Sequence, residues 1–317
     1  MTDSSPPVPA FSVITVNWNS RADLEECLTS LVAQSARDFE VIVVDNGSTD
    51  GSLEMVREKF PGVRLLSTGE NLGFAEANNR GIALARAAWV MTLNNDACAR
   101  PDWAAQLLRA IASADERVGM IQCQMLFKSD TARLNSTGII MFANGTARDR
   151  SFGEPVEAGA EPTAIFCPTA GAALYRKRML EETRSSRGVF DRAYFMYCED
   201  LDLGWRCRLA GYEALYWPAA VVEHAFQASS KRVASDFVEW HCRKNRAATL
   251  IKNASPGFLL RSLPRTIQDV VWVLSRRGFA GLDRYFTELA SAAELRREVE
   301  SVRRVERAEV ERRWVGR

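Results

Sequence analysis

Between residues 11 and 96 the chain alternates short β-branched runs with stretches of helical period, and each apolar run stops at a polar, turn-forming segment. Short apolar strands separated by amphipathic helices can all be buried only as a mostly parallel sheet with crossover helices on its faces. Residues 12–16, 39–44, 63–67 and 89–93 read as the strands. Residues 23–34, 53–60 and 75–87 read as the helices; the first aligns Leu24, Cys27, Leu28 and Leu31, and Pro61-Gly62 ends the second. A further helix is predicted over 101–114, with Asp102 at its positive end.

From residue 119 to 175 the pattern changes. Strand-like pieces at 120–127, 138–142 and 172–175 are separated by glycine, asparagine and proline, with a polar loop over 143–161. Beyond Gly257 the period is helical to the end. The 317 residues therefore divide into a leader at 1–9, expected to be disordered, one α/β domain over 10–255 and a helical extension over 256–317. The leader lacks the basic start and apolar centre of a signal peptide. No apolar run approaches the roughly 18–20 residues that cross a bilayer.

Charge narrows the partners. A net charge of +1 leaves no excess of cations to neutralise a nucleic-acid backbone, so no nucleic acid is expected. The extension is the basic part, with thirteen arginines against nine acids. Seven cysteines without a CxxC pair or a secreted-scaffold spacing imply a reducing cytoplasm, either free in it or at the inner face of the membrane.

In an open α/β sheet, ligands collect beyond the carboxyl ends of the strands, where loops converge and helix N-termini expose unpaired N–H groups. Here those loops are Asn17-Trp18-Asn19, the stretch from Asp45 to Gly51, Asn71-Leu72-Gly73-Phe74-Ala75 and Asn94-Asn95-Asp96. Asp45 follows an apolar strand directly, so its carboxylate is aimed at the rim, where it suits a base N–H or a ribose hydroxyl. An Asx turn is the alternative for Asp45, and a helix cap is the preferred role for Asp50.

Val-Val-Asp-Asn-Gly-Ser-Thr-Asp at 43–50, Asn-Leu-Gly-Phe-Ala-Glu-Ala-Asn at 71–78 and Leu-Asn-Asn-Asp at 93–96 together resemble the family-2 glycosyltransferases. The resemblance implies a GT-A type nucleotide-diphospho-sugar transferase fold, α/β with a mostly parallel central sheet flanked by helices. Residues 10–100 would form the nucleotide-sugar half and 101–255 the half with acceptor and catalytic base. It further implies that Thr15, Asn17 and Asp45 hold the nucleoside, and that Asn71, Gly73 and Asn78 lie along ribose and diphosphate. Asn19, Asn46, Ser48, Phe74, Asn94 and Asn95 complete the donor candidates from the same loops. Gly73 would let backbone approach the ligand, and the helix after it would offer amides to the diphosphate.

A leaving diphosphate needs its charge offset, which a divalent metal, Mn²⁺ or Mg²⁺, achieves through one carboxylate. Asp96 is the candidate ligand. The family commonly carries two acidic residues here and this chain has one, which leaves metal dependence open. His224 follows a strand-like run at 216–223, and the resemblance makes it a second metal ligand, although a lone histidine is usually structural.

Glu199, Asp200 and Asp202 crowd three carboxylates into four residues before a helical stretch, and like charges held close raise one another's pKa. Asp202 is expected to pair with Arg206 at i,i+4. For Glu199 and Asp200 the resemblance implies chemistry: Asp200 as the general base that deprotonates the acceptor hydroxyl for inverting attack, and Glu199 as its neighbour. The cationic turn at 241–246 offers Arg243 and Asn245 to the diphosphate or to an anionic lipid carrier; a solvated helix face is equally open.

Residues 258–285 mix large apolar side chains with Arg261, Arg265, Arg276 and Arg277, which suits either an anionic membrane surface or packing on the domain. Leu295, Val299 and Val302 permit a short coiled-coil seam and hence a homo-oligomer. The expected activity is transfer from a nucleotide-sugar, dTDP-rhamnose before UDP-sugars, to a saccharide or lipid-linked saccharide of the cell surface. A sugar nucleotidyltransferase and a non-catalytic nucleotide-sugar-binding protein are the alternatives.

Overall fold

The computed structural model describes residues 7–225 and 235–316, so of the expected leader residues 1–6 lie outside it. The first half is β1 (Phe11–Asn17), α1 (Arg21–Val32), β2 (Phe39–Asp45), α2 (Ser52–Lys59), β3 (Arg64–Ser67), α3 (Gly73–Leu84) and β4 (Trp89–Leu93). β1 lies between β2 and β4, parallel to both, with Asn17 opposite Asp45. Alternation along β1 sorts its side chains: Phe11 and Val13 join Leu24, Leu28 and Trp103 on one face, while Ile14 meets Ala77 and Ile82 on the other.

The second half adds β5 (Ala97–Ala99), α4 (Trp103–Ser113), β6 (Val118–Phe127), β7 (Asp130–Ser136), β8 (Ile139–Phe142), β9 (Ala147–Asp149), β10 (Thr163–Ala164) and β11 (Ala172–Arg176). It continues through α5 (Lys177–Glu182), α6 (Glu199–Leu209), β12 (Glu213–His224), α7 (Ser235–Asn253), α8 (Pro256–Val302), α9 (Arg307–Trp314) and β13 (Val315–Gly316). β11 runs antiparallel between β4 and β6, which extends the sheet to β10-β12-β6-β11-β4-β1-β2-β3. The 143–161 stretch, expected as polar loop, contains β9, which pairs with β8 while β13 pairs with β8 from its other edge. Local polarity concealed this strand because its partners come from the tertiary fold.

The C-terminal extension is docked. α8 breaks at Gly278, whose φ of 64° and ψ of −164° lie outside the helical region. Val273 before the break and Tyr285 and Leu289 after it share one core with Trp240 of α7, and Phe258 packs on Trp205 of α6. Asp269, fully buried, takes Arg243 at 2.8 Å and Arg246 at 2.6 Å from α7. Leu295 and Val299, two positions of the expected coiled-coil seam, are buried in the protein's own core and are not available to a second copy. No helix among the described residues is long and apolar enough to cross a membrane.

Candidate active site

The carboxyl ends of β1, β2 and β4 open on a cavity of about 730 Å³, a size that admits a ligand of several rings. Asn46, Asn71, Gly73, Phe74, Asn94, Asn95 and Asp96 line it from the first half. From the second half come Asp149, Thr169, Ala170, Glu199, Asp200 and His224. Residues more than a hundred positions apart thus share one wall, because β11 threads between the two halves of the sheet.

The rim loops brace one another with side-chain amides. Asn46 Nδ2 donates to Asn71 Oδ1 at 2.9 Å, Asn46 Oδ1 accepts from the Leu72 N–H at 2.9 Å, and Asn71 Oδ1 also accepts from the Gly73 N–H at 3.0 Å. One layer deeper, Asn17 Nδ2 and the Asn19 N–H donate to Ser48 Oγ, and Asn95 Nδ2 donates to Asn17 Oδ1 at 2.7 Å. Asp45 Oδ2 accepts from the Ser48 N–H at 3.1 Å, the Asx turn left open as its alternative, while its buried Oδ1 has no hydrogen-bond partner.

Six donor candidates therefore stand behind the wall and six on it. Thr15 is wholly buried in β1, and Asn78 gives its Nδ2 to the Phe74 carbonyl one turn back at 2.9 Å. Gly73 is needed for a reason other than ligand approach: its φ is +80°, and a Cβ there would stand 2.5 Å from the Phe195 ring and 2.6 Å from the Phe195 carbonyl oxygen. The glycine seats the loop before α6 against the rim.

At the far edge of β4, Asp96 Oδ1 and His224 Nε2 are 3.0 Å apart. His224 Nδ1 lies 2.9 Å from Asn135 Oδ1 on β7, and Nε2 also lies 3.1 Å from Asn94 Nδ2. The Asn135 contact at Nδ1 holds the ring with Nε2 turned toward Asp96 and the cavity. Among the described residues no third histidine, cysteine or acidic group joins them in a metal-ligand cluster.

Phe195, Tyr197 and Cys198 have φ of 62°, 69° and 64°, a conformation rare for such side chains. This strained loop delivers Glu199 and Asp200 to the N-terminus of α6. Asp200 Oδ2 accepts from the Ala170 N–H at 3.1 Å and Thr169 Oγ1 at 3.2 Å, and Oδ1 from the Leu201 N–H at 2.8 Å. Burial pushes both carboxyls up. For Asp200 those donors work against the burial; for Glu199, pushed well above the usual range, the Asp200 charge adds to it, and buried Oε2 has no partner. Asp202 points away: burial opposes its charge, but Lys252 and Arg206, each at 3.0 Å, hold it below the ordinary carboxylate range.

Two candidates from the cationic turn lie away from the cavity. Arg243 faces the extension, bonded to Asp269 with its guanidinium 4.9 Å from the Trp272 ring centre, because a buried acid and an aromatic face offer it more than solvent does. Asn245 is fully buried and donates to the carbonyls of Tyr194, Met196 and Tyr197 at 3.0, 2.8 and 2.8 Å. Neither lines the cavity. His241 gives Nδ1–H to the Tyr194 carbonyl, and burial followed by Lys244 lowers its pKa to about 4.

Sequence reasoning missed Asp149, Asn135 and Lys252. Asp149, on β9, lines the cavity, and burial raises its pKa to about 6, with Ser136 opposing and Asp200 adding to the rise. Its only local signal was an acid between two arginines, which reads as surface. Lys252 joins Asp191 at 2.9 Å and Asp202 at 3.0 Å in the interior, anchoring α6 to α7.

Comparison with known proteins gives concordant matches. A family model described as glycosyl transferase family 2 matches residues 12–184. The chain is 29% identical over 276 residues to N-acetylglucosaminyl-diphospho-decaprenol L-rhamnosyltransferase of Mycobacterium tuberculosis, covering 76% of this chain and 82% of that protein. A mannosyltransferase from Pyrobaculum calidifontis, solved with GDP-Man and Mn²⁺, superposes with a TM-score of 0.53 at 19% identity over 94% of this chain and 86% of that one. GalNAc-T7, solved with UDP, GalNAc and Mn²⁺, gives 0.62 at 13% identity over 93% and 57%.

Proposed function

The chain belongs to glycosyl transferase family 2, a glycosyltransferase of GT-A fold, and from that premise we propose that it moves an L-rhamnosyl unit from dTDP-rhamnose to a hydroxyl of a lipid-linked saccharide. UDP-sugars are the second choice of donor. The rhamnosyltransferase relative, matched over 82% of its length, supports both the sugar and the lipid-linked acceptor. The observation that carries the mechanism is that the Asp96–His224 pair, which itself joins the two halves of the fold, faces one cavity with the Glu199–Asp200 pair.

The nucleoside lies over the rim of β1 and β2, with the Asn46–Asn71 brace shaping its seat and Asp45 Oδ1 free to accept from it. A divalent ion, Mn²⁺ or Mg²⁺, would be held by Asp96 Oδ1 and His224 Nε2, a carboxylate and an imidazole that suit such an ion and converge to 3.0 Å on the cavity wall. Bound there, such an ion supplies charge neutralisation for the departing diphosphate. Asp200, oriented by Ala170, Thr169 and Leu201, accepts the proton of the acceptor hydroxyl. The new bond forms from that oxygen to the anomeric carbon as the bond to the diphosphate oxygen breaks, and attack from the opposite face inverts configuration. Burial, with the Asp200 charge beside it, pushes the Glu199 carboxyl well above the usual range and so disfavours a second negative charge next to Asp200.

A panel of nucleotide sugars with Mn²⁺, read by thermal shift, tests the donor site. dTDP-rhamnose is expected to raise the melting temperature most. A UDP-sugar prevailing would change the donor, and no shift at millimolar concentration with any of them would refute the site.

A further inference from the structure

The arm of α8 before Gly278 is apolar on two sides, and only one is used. Phe258, Ser262, Asp269 and Val273 face inward and are buried. Leu260, Leu263, Ile267, Val271 and Leu274 recur at spacings of three and four on the opposite side and are 40–70% exposed. At about 100° per residue these five fall within roughly 80° of arc, a continuous stripe some four turns long. A helix that merely packed on the domain would carry polar residues there.

The surroundings of the stripe are of one sign. The charged residues of this arm are Arg261, Arg265, Asp269, Arg276 and Arg277, and the one acid among them is buried under Arg243 and Arg246. Every exposed charge that this arm itself carries is therefore an arginine, and Arg261 and Arg277 also reach neighbouring elements, at Glu311 and at the Asp236 carbonyl. Phe279, just past the break, is 81% exposed. An apolar stripe bordered by cations matches a lipid surface with anionic headgroups, into which the aliphatic side chains sink while arginines meet phosphates. A second copy of this chain would bring arginines against arginines.

On its inner side the same arm sits next to the chemistry. The turn between β8 and β9 rests on this arm: a Cβ on Gly145 would stand 2.8 Å from Ser262, and the Gly145 carbonyl accepts from Arg246 at 3.4 Å. The same hairpin carries Arg148 and Asp149 into the cavity wall. We propose that the outer face of the first arm of α8 docks the enzyme on an anionic lipid surface. The purpose of that docking, presenting a membrane-anchored acceptor, rests on the reading above; the binding itself does not need it.

The test is co-sedimentation of the full chain with vesicles of phosphatidylcholine containing a quarter phosphatidylglycerol, beside pure phosphatidylcholine, at low and high salt. Wild type is expected to sediment with the anionic vesicles, less at high salt, and the double variant I267E/V271E to bind at least tenfold more weakly with unchanged melting temperature. Failure of wild type to sediment, or equal sedimentation of the variant, would overturn the proposal. A dimer on size exclusion that the variant converts to monomer would overturn it too, assigning the stripe to a second copy. Vesicle binding by a protein that takes no nucleotide sugar would refute the proposed function and leave this inference standing.

Discussion

Asn245 Nδ2 donates to the Tyr197 carbonyl at 2.8 Å from the interior of α7, two residues before the Glu199–Asp200 pair. The same amide reaches the carbonyls of Tyr194 and Met196, so one side chain spans a loop in which three non-glycine residues hold positive φ. Such a conformation costs on the order of 1–3 kcal/mol per residue and persists only where its surroundings dictate it. Asn245→Ala is accordingly expected to release the loop, lowering kcat at least tenfold while the donor-induced thermal shift is retained. Steady-state kinetics beside a thermal-shift titration measure both.

Asp200→Asn removes the proposed proton acceptor and keeps its shape. Loss of a general base costs about 10²–10⁴ in rate, so transfer should fall by that factor with donor binding intact. In the wild type, burial raises the Asp200 and Glu199 carboxyls, so kcat should drop on the acid side at a pH above that of an ordinary aspartate. A flat acid limb, or full activity in the variant, would move the base elsewhere.

Asp149 gives a test with a sign. Its pKa rises from 3.8 to about 6, so the folded state binds the proton more tightly than the unfolded chain does. The stability this contributes is complete below pH 4 and is lost as pH rises through 6. Asp149→Asn should therefore leave stability unchanged near pH 4 and raise it above pH 6, by up to about 3 kcal/mol. Denaturant unfolding at pH 4.5 and 7.5 reads the difference. If Asp149 contacts the acceptor, as its place on the cavity wall implies, the same variant should raise the acceptor KM more than it changes kcat.

Lys252→Met leaves Asp191 and Asp202 with less compensation in the interior, where the lysine is 1% exposed. Breaking one side of a buried ion pair costs about 3–5 kcal/mol. Unfolding should show a loss of that size. A loss below 1 kcal/mol would mean that Arg206 alone balances Asp202.

The sequence determined the wound sheet, the places of its first four strands along the chain and the four rim loops, since hydrophobic period and turn chemistry are local properties carried by neighbours in the chain. It also determined that Asp96, Glu199, Asp200 and His224 deserved attention, through the motifs that hold them. Only the tertiary structure decided that these residues share a cavity, because β11 runs backward between β4 and β6 and closes distances that the chain leaves open. It alone turned Arg243 and Asn245 inward, since a cationic turn looks solvated until the buried acid and bare carbonyls opposite it are known. Asp149 stayed hidden in a polar stretch for the same reason, and the two apolar sides of α8 became distinguishable only once one of them was covered.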